Sequence, residues 1–124
     1  LGMVHSLAHP LSARHGTHHG LANALMLPAS MAFIETADLT DEQQRRIDTI
    51  RALFTEAGRA GDSLADETRS WIEELGIKSG LKHHDIPVDD IPALADEAFL
   101  DTCHATNLIP VRRDDLAAVY EKAQ

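Results

Sequence analysis

Cysteine is nearly absent: Cys103 is the only one among 124 residues, so no internal disulfide staples the chain. Basic charge is scarce too, with 11 Lys and Arg against 20 Asp and Glu and a formal net charge of −9. Only Arg45–Arg46 and Arg112–Arg113 stand side by side, so the clustered basic face needed to grip phosphates is missing, and nucleic acid is excluded as a partner. No apolar run approaches the roughly 18 residues that cross a bilayer, which excludes a membrane-spanning helix. Sustained period-two alternation is missing and β-branched residues are sparse, which argues against a sheet. There is no internal repeat, low-complexity tract or Gly-rich phosphate loop. One thiol and no leader-like opening fit a reducing cytoplasm.

At 44% hydrophobic and 25% charged, the composition is that of one globular domain. A chain of this length buries roughly two thirds of its unfolded surface, enough for a core without staples. The pattern predicts an all-α, bundle-like domain of five to six or more helices. Residues Leu1–His9 read as helical, with Pro10 disfavouring α geometry at His9. A turn at Arg14–Thr17 follows, then a helix from about His18 to Leu27 with Thr17 as N-cap, which Pro28 kinks or ends. Thr40 and Gln43 form a capping box ahead of Ile47, Ile50, Leu53 and Phe54, in a helix ending near Gly58 or Gly61. Asp62 or Ser63 caps the next, with Leu64, Thr68, Trp71, Ile72 and Leu75 on its stripe and Gly76 as its stop. Ile77–Leu81 reads as a turn or 3₁₀ segment. Asp89 or Asp90 starts a helix with Pro92 in its first turn and Leu94, Ala95, Ala98 and Phe99 inward. Asn107–Pro110 breaks it, and a last helix spans about Arg113 to Lys122, burying Leu116, Val119 and Tyr120.

Charge and histidine are distributed very unevenly. Residues Leu1–Ile34 contain no acid and only Arg14 as a fixed cation, yet hold His5, His9, His15, His18 and His19, five of the eight histidines. A stretch so poor in charge is buried or faces a partner. Neutral imidazole is the common nitrogen ligand for zinc and ferrous iron. His5 and His9 are one helical turn apart on one face, and His19 at the start of the following helix can fold back beside them. His83-His84-Asp85 reads as a surface loop. Trp71 and Phe99 read as core. The pairs Asp89-Asp90 and Asp114-Asp115 read as helix-start carboxylates. Ser6 and Ser12 carry no mark of a nucleophile elbow.

The string Val4-His5-Ser6-Leu7-Ala8-His9-Pro10-Leu11, followed by Thr17-His18-His19-Gly20-Leu21-Ala22-Asn23-Ala24-Leu25-Met26-Leu27-Pro28, resembles the signature of the iron-containing, group III alcohol dehydrogenases. A weaker resemblance continues through Asp101-Thr102-Cys103-His104-Ala105-Thr106-Asn107. The resemblance implies that residues 1–124 are the C-terminal, all-α metal-ligand domain of such an enzyme, a dehydroquinate synthase-like α-domain. It implies that His5 and His19, fourteen residues apart, are two ligands of a catalytic Fe2+ or Zn2+. His9 falls beside the metal, as a proton-relay or substrate-orienting residue, and Cys103 and His104 approach the substrate cavity. The other two ligands, an Asp and a His, and the nucleotide-binding α/β domain that takes NAD or NADP would precede Leu1. The partners implied are that domain and a small alcohol or aldehyde.

Departures from the family pattern are visible. His18 stands where a Pro commonly precedes the second ligand, which leaves His18 as the alternative to His19. His15 replaces a frequent aromatic, and Asn107-Leu108-Ile109-Pro110 replaces an Asn-Pro-Arg-Pro type of turn. The expected function is therefore the helical half of a metal-dependent, NAD(P)-linked alcohol dehydrogenase or aldehyde reductase, inactive in isolation and self-associating. The rival reading is a stand-alone His-rich helical module that binds a metal or another protein without catalysis.

Overall fold

A computed structural model describes residues 1–124. Six α-helices and three short 3₁₀ turns account for the ordered secondary structure, with no strand, in agreement with the all-α expectation. The helices are α1 (Gly2–His15), α2 (His19–Glu35), α3 (Asp41–Glu56), α4 (Leu64–Glu74), α5 (Ile91–Leu100) and α6 (Arg113–Lys122). The 3₁₀ turns cover Leu81–His84, Val88–Asp90 and Thr102–Thr106.

Helix α1 is the centre of the packing, lying against α2, α5, α6 and the Thr102–Thr106 turn, while α2 packs on α4 and α6. Its residues Met3, Leu7, Ala8 and Leu11 recur at helical spacing and are completely buried. They meet Ala22, Leu25, Met26 and Ala29 of α2, Ile91, Leu94, Ala95 and Ala98 of α5, and Leu116, Val119 and Tyr120 of α6 in one continuous core. Full burial of each Leu contributes about 1.5–3 kcal/mol. A smaller cluster of Ile34, Ile47 and Leu64 holds α3, whose only buried residue is Ile47.

The first turn of α1 is capped from the far end of the chain. Thr106 Oγ1 accepts the Gly2 N–H at 3.1 Å and Asn107 Oδ1 accepts the Met3 N–H at 3.3 Å, so two of the free donors of the helix start are satisfied in trans. Gly2 has φ +66° and a Cβ there would stand 3.0 Å from Asn107 Oδ1, so glycine answers both the backbone conformation and the close approach. This pins the Thr102–Thr106 turn onto the histidine-bearing helix.

Local signals held where caps were read. Thr40 and Gln43 form the reciprocal capping box, Ser63 caps α4 through the Asp66 N–H, and Pro92 sits in the first turn of α5. Asp114 and Asp115 lie in the first turn of α6, where the Asp115 carboxylate accepts the Arg112 N–H. The two prolines are corrections. Pro10 lies inside α1, which continues to His15, and Pro28 lies inside α2, which continues to Glu35. Both are buried, and the packing of the turns on either side outweighs the roughly 3 kcal/mol that an internal proline costs. The N-cap of α2 is His18 rather than Thr17. Trp71, Leu75 and Phe99 are exposed at 41%, 65% and 44%, so they are not core: Trp71 and Leu75 lie off the buried Leu64, Thr68 and Ile72 stripe, and Phe99 off the Leu94, Ala95 and Ala98 stripe. The 3₁₀ segment begins at Leu81 instead of spanning Ile77–Leu81, and α5 ends at Leu100, with the Thr102–Thr106 turn before Asn107.

Candidate metal centre

Helix α1 places His5 and His9 one turn apart, and the short link at Gly16–His18 reverses the chain so that His19, the first residue of α2, returns beside them. Gly16 makes the reversal, with φ 66° and its N–H on the Ser12 carbonyl. The three rings form a triangle with centroid separations of 6.0 Å for His5–His9, 5.5 Å for His5–His19 and 5.4 Å for His9–His19. An imidazole bound to a tetrahedral divalent ion has its centroid about 3 Å from the metal, so rings sharing one ion sit about 5 Å apart. The three rings stand somewhat wider than that spacing, and imidazole nitrogen is a ligand type suited to a borderline ion such as Zn2+ or Fe2+.

Each ring has one nitrogen engaged. His5 Nδ1 lies 3.3 Å from the Leu1 carbonyl, and as donor there it leaves Nε2 free. His9 Nδ1 meets Asp101 Oδ2 at 2.6 Å, again leaving Nε2. On His19 the engaged nitrogen is the other one: Asn23 Nδ2, one turn along α2, lies 3.1 Å from His19 Nε2 and donates to the His19 carbonyl at 2.9 Å, which leaves Nδ1. His18 points to a different task, since its Nδ1 accepts the Gly20 N–H at 3.3 Å and caps α2. His15 is set apart, with Nε2 3.2 Å from Asp90 Oδ2.

The Thr102–Thr106 turn contributes the other side. Asp101 Oδ1 accepts the Cys103 N–H at 2.7 Å and the Ser6 hydroxyl at 3.0 Å, while Ser6 Oγ, fully buried, accepts the His104 N–H at 2.8 Å. Burial works to raise the Asp101 pKa, but hydrogen bonds from His9, from the Cys103 backbone and thiol, and from Ser6 outweigh it and hold the carboxyl well below its usual range. The Cys103 thiol is pushed up, first by its hydrogen bond to Asp101 and then by burial. His9, Asp101 and Cys103 have donor atoms within 4.8 Å of one another. The 2.6 Å His9–Asp101 contact is a hydrogen bond, shorter than the about 3.3 Å between two donors on one tetrahedral ion. His104 stacks on Phe99 with centroids 5.2 Å apart and its Nε2 3.0 Å from the Phe99 carbonyl.

The structure thus gathers His5, His9 and His19, sets Cys103 beside His9, and puts His104 on the flank of the same turn. His83 and His84 lie in the Leu81–His84 turn, away from the cluster, where His84 Nε2 meets the Lys78 carbonyl at 2.7 Å. Sequence reasoning missed Asp101 and Ser6 as members of the site. Asp101 lies 92 residues from His9, beyond any helical spacing, and the only sequence signal was its place at the head of the Asp101–Asn107 stretch. The imidazoles lie on an open face, and a separate cleft between α2, α3 and α4 is lined by Glu35, Arg51 and Arg69.

A helical domain that presents nitrogen donors from two adjacent helix ends is one class of metal-site scaffold. The chain belongs to the Fe-containing alcohol dehydrogenase family, C-terminal, whose match extends over residues 1–124. Lactaldehyde reductase of Escherichia coli (strain K12) is 35% identical over 130 residues, covering 99% of this chain and 32% of the relative. A 4-hydroxybutyrate dehydrogenase of Cupriavidus necator is 32% identical over 112 residues, covering 86% of this chain and 28% of the relative. The crystal structure of a 1,3-propanediol oxidoreductase shares the fold, with TM-score 0.79 and 24% identity over 100% of this chain and 33% of that one. The chain spans about a third of the length of these relatives.

Proposed function

We propose that residues 1–124 are the metal-ligand domain of an NAD(P)-linked alcohol dehydrogenase or aldehyde reductase, and that an α/β nucleotide-binding domain of the same protein completes the site. The observation that carries this reading is the His5–His9–His19 cluster, which two helices bring together with ring centroids 5.4–6.0 Å apart. Family membership over the whole chain supports the reaction class, and relatives described as NAD-dependent and NADPH-dependent support a nicotinamide cofactor.

His5 and His19 would hold the ion, Fe2+ or Zn2+. The use of His18 as a helix cap supports His19 as the second ligand. When bound, the ion supplies Lewis acidity toward an alcohol oxygen, and the dinucleotide supplies the hydride acceptor. His9, tied through Nδ1, keeps Nε2 for a proton exchanged with the substrate oxygen. Cys103 and His104 would line the substrate cavity at the edge of the Thr102–Thr106 turn. Exposed Leu1, Phe99 and Leu100 adjoin this face, at 79%, 44% and 81%, and the remaining two thirds of the enzyme would cover them. A small alcohol or aldehyde is the expected substrate, a homo-oligomer the expected assembly and the cytoplasm the expected location. No helix is long and apolar enough to cross a membrane.

The test is an assay of the purified full-length protein with Fe2+ or Zn2+, NAD or NADP, and a series of short alcohols and aldehydes. Alcohol-dependent reduction of the dinucleotide is expected from the full-length protein and none from residues 1–124 alone. Turnover by residues 1–124 would contradict the division of the site. Stoichiometric metal binding without turnover by the full-length protein would favour a metal-binding module.

A further inference from the structure

Two donors hold Asp101 through one carboxylate oxygen. Its Oδ1 takes the Cys103 N–H at 2.7 Å and the Ser6 hydroxyl at 3.0 Å. Ser6 Oγ is buried and accepts the His104 N–H at 2.8 Å, and its own hydrogen faces Asp101, with Oδ1 at 3.0 Å and the Asp101 carbonyl at 3.3 Å. The Cys103 thiol also donates to the carboxylate, and Oδ2 faces His9 Nδ1 at 2.6 Å. An ionised carboxylate accepts and cannot donate, so the nitrogen facing it must carry the hydrogen. The neutral His9 ring then has a bare Nε2. The ring stacks on His19 at 5.4 Å with an interplanar angle of 21°, which sets it among the other imidazoles.

We propose that Asp101 is the positioning residue of this site: with Ser6 and the Cys103 N–H as its brace, it fixes the rotamer and the tautomer of His9 so that Nε2 is kept free for the reacting oxygen. The kinetic part of this inference rests on the role given to His9 under Proposed function. The tautomer itself does not. A carboxylate in this place acts as the Asp of a Ser-His-Asp triad does, by orienting an imidazole and selecting its proton.

The test uses the full-length protein, labelled with nitrogen-15 at histidine, in its diamagnetic zinc form at about pH 8.5, above the ordinary imidazole range. His9 signals are assigned by their loss in His9→Gln. In the unaltered protein we expect Nδ1 protonated and Nε2 bare. In Asp101→Asn the amide oxygen must continue to accept from Cys103 and Ser6, so the amide NH2 turns to His9 Nδ1 and the proton moves to Nε2. The tautomer is expected to reverse, with kcat falling about a hundredfold or more and KM changing by no more than about threefold. A merely structural role would leave the tautomer unchanged. Protonation at Nε2 in the unaltered protein overturns the inference, as does an unchanged tautomer in Asp101→Asn or a reversed one with kcat intact. Should Asp101→Asn fail to fold, the spectrum of the unaltered protein decides alone. If the unaltered protein has no dehydrogenase turnover, the functional reading falls, while the tautomer comparison still judges what Asp101 does to His9.

Discussion

Tyr120 shows how one side chain joins the core to the histidine-bearing helix. Its ring is fully buried, and its hydroxyl donates to the Leu7 carbonyl at 2.6 Å, within the turn of α1 that separates His5 from His9. Burial, and then the charge of Glu97, push its pKa far above the ordinary phenol value of about 10. The fold therefore requires the protonated phenol. That contribution is complete below about pH 10 and is lost as pH rises from the unfolded pKa through the raised folded one. Because Tyr120 is the only tyrosine among the 124 residues, ultraviolet absorbance of tyrosinate isolates it in that chain. Tyrosinate is expected to appear together with loss of helical circular dichroism, and ionisation near pH 10 in a folded chain would contradict the placement. Tyr120→Phe, which leaves a buried carbonyl without this partner, should lower stability by about 1–2 kcal/mol in urea unfolding.

The elements were legible where their signals are local. Thr40 with Gln43, Ser63 ahead of Leu64, and Pro92 at the start of α5 act within one turn, so neighbouring residues suffice to read them. Pro10 and Pro28 misled for the opposite reason. Their cost is local but the compensation is not, because the helix turns beyond each proline bury Leu11 on one side and Ala29 on the other in a core drawn from distant helices. The start of α1 is equally non-local, with its caps supplied by Thr106 and Asn107, each 104 residues away in sequence. Asn107→Ala removes the acceptor of the Met3 N–H and should cost about 1 kcal/mol, measured by urea unfolding. It should also speed hydrogen exchange at the first turn of α1 while leaving α6 unchanged. Equal exchange in both helices would show that Asn107 does not cap α1.

At the scale of the whole molecule, the His5–His9–His19 cluster was legible because two of its members share a helix face and the third begins the next helix. Asp101 and Ser6 were not, since their roles exist only once the Thr102–Thr106 turn is docked on α1. The domain contributes a base of buried helices below an open face of imidazoles. The most direct test of this account is the divalent-metal content of the purified full-length protein after dialysis, compared with that of its His5→Ala, His18→Ala and His19→Ala variants. About one ion per chain is expected in the unaltered protein and in His18→Ala, with loss in His5→Ala and His19→Ala. Metal retained in His19→Ala but lost in His18→Ala, or retained in all three, would contradict it.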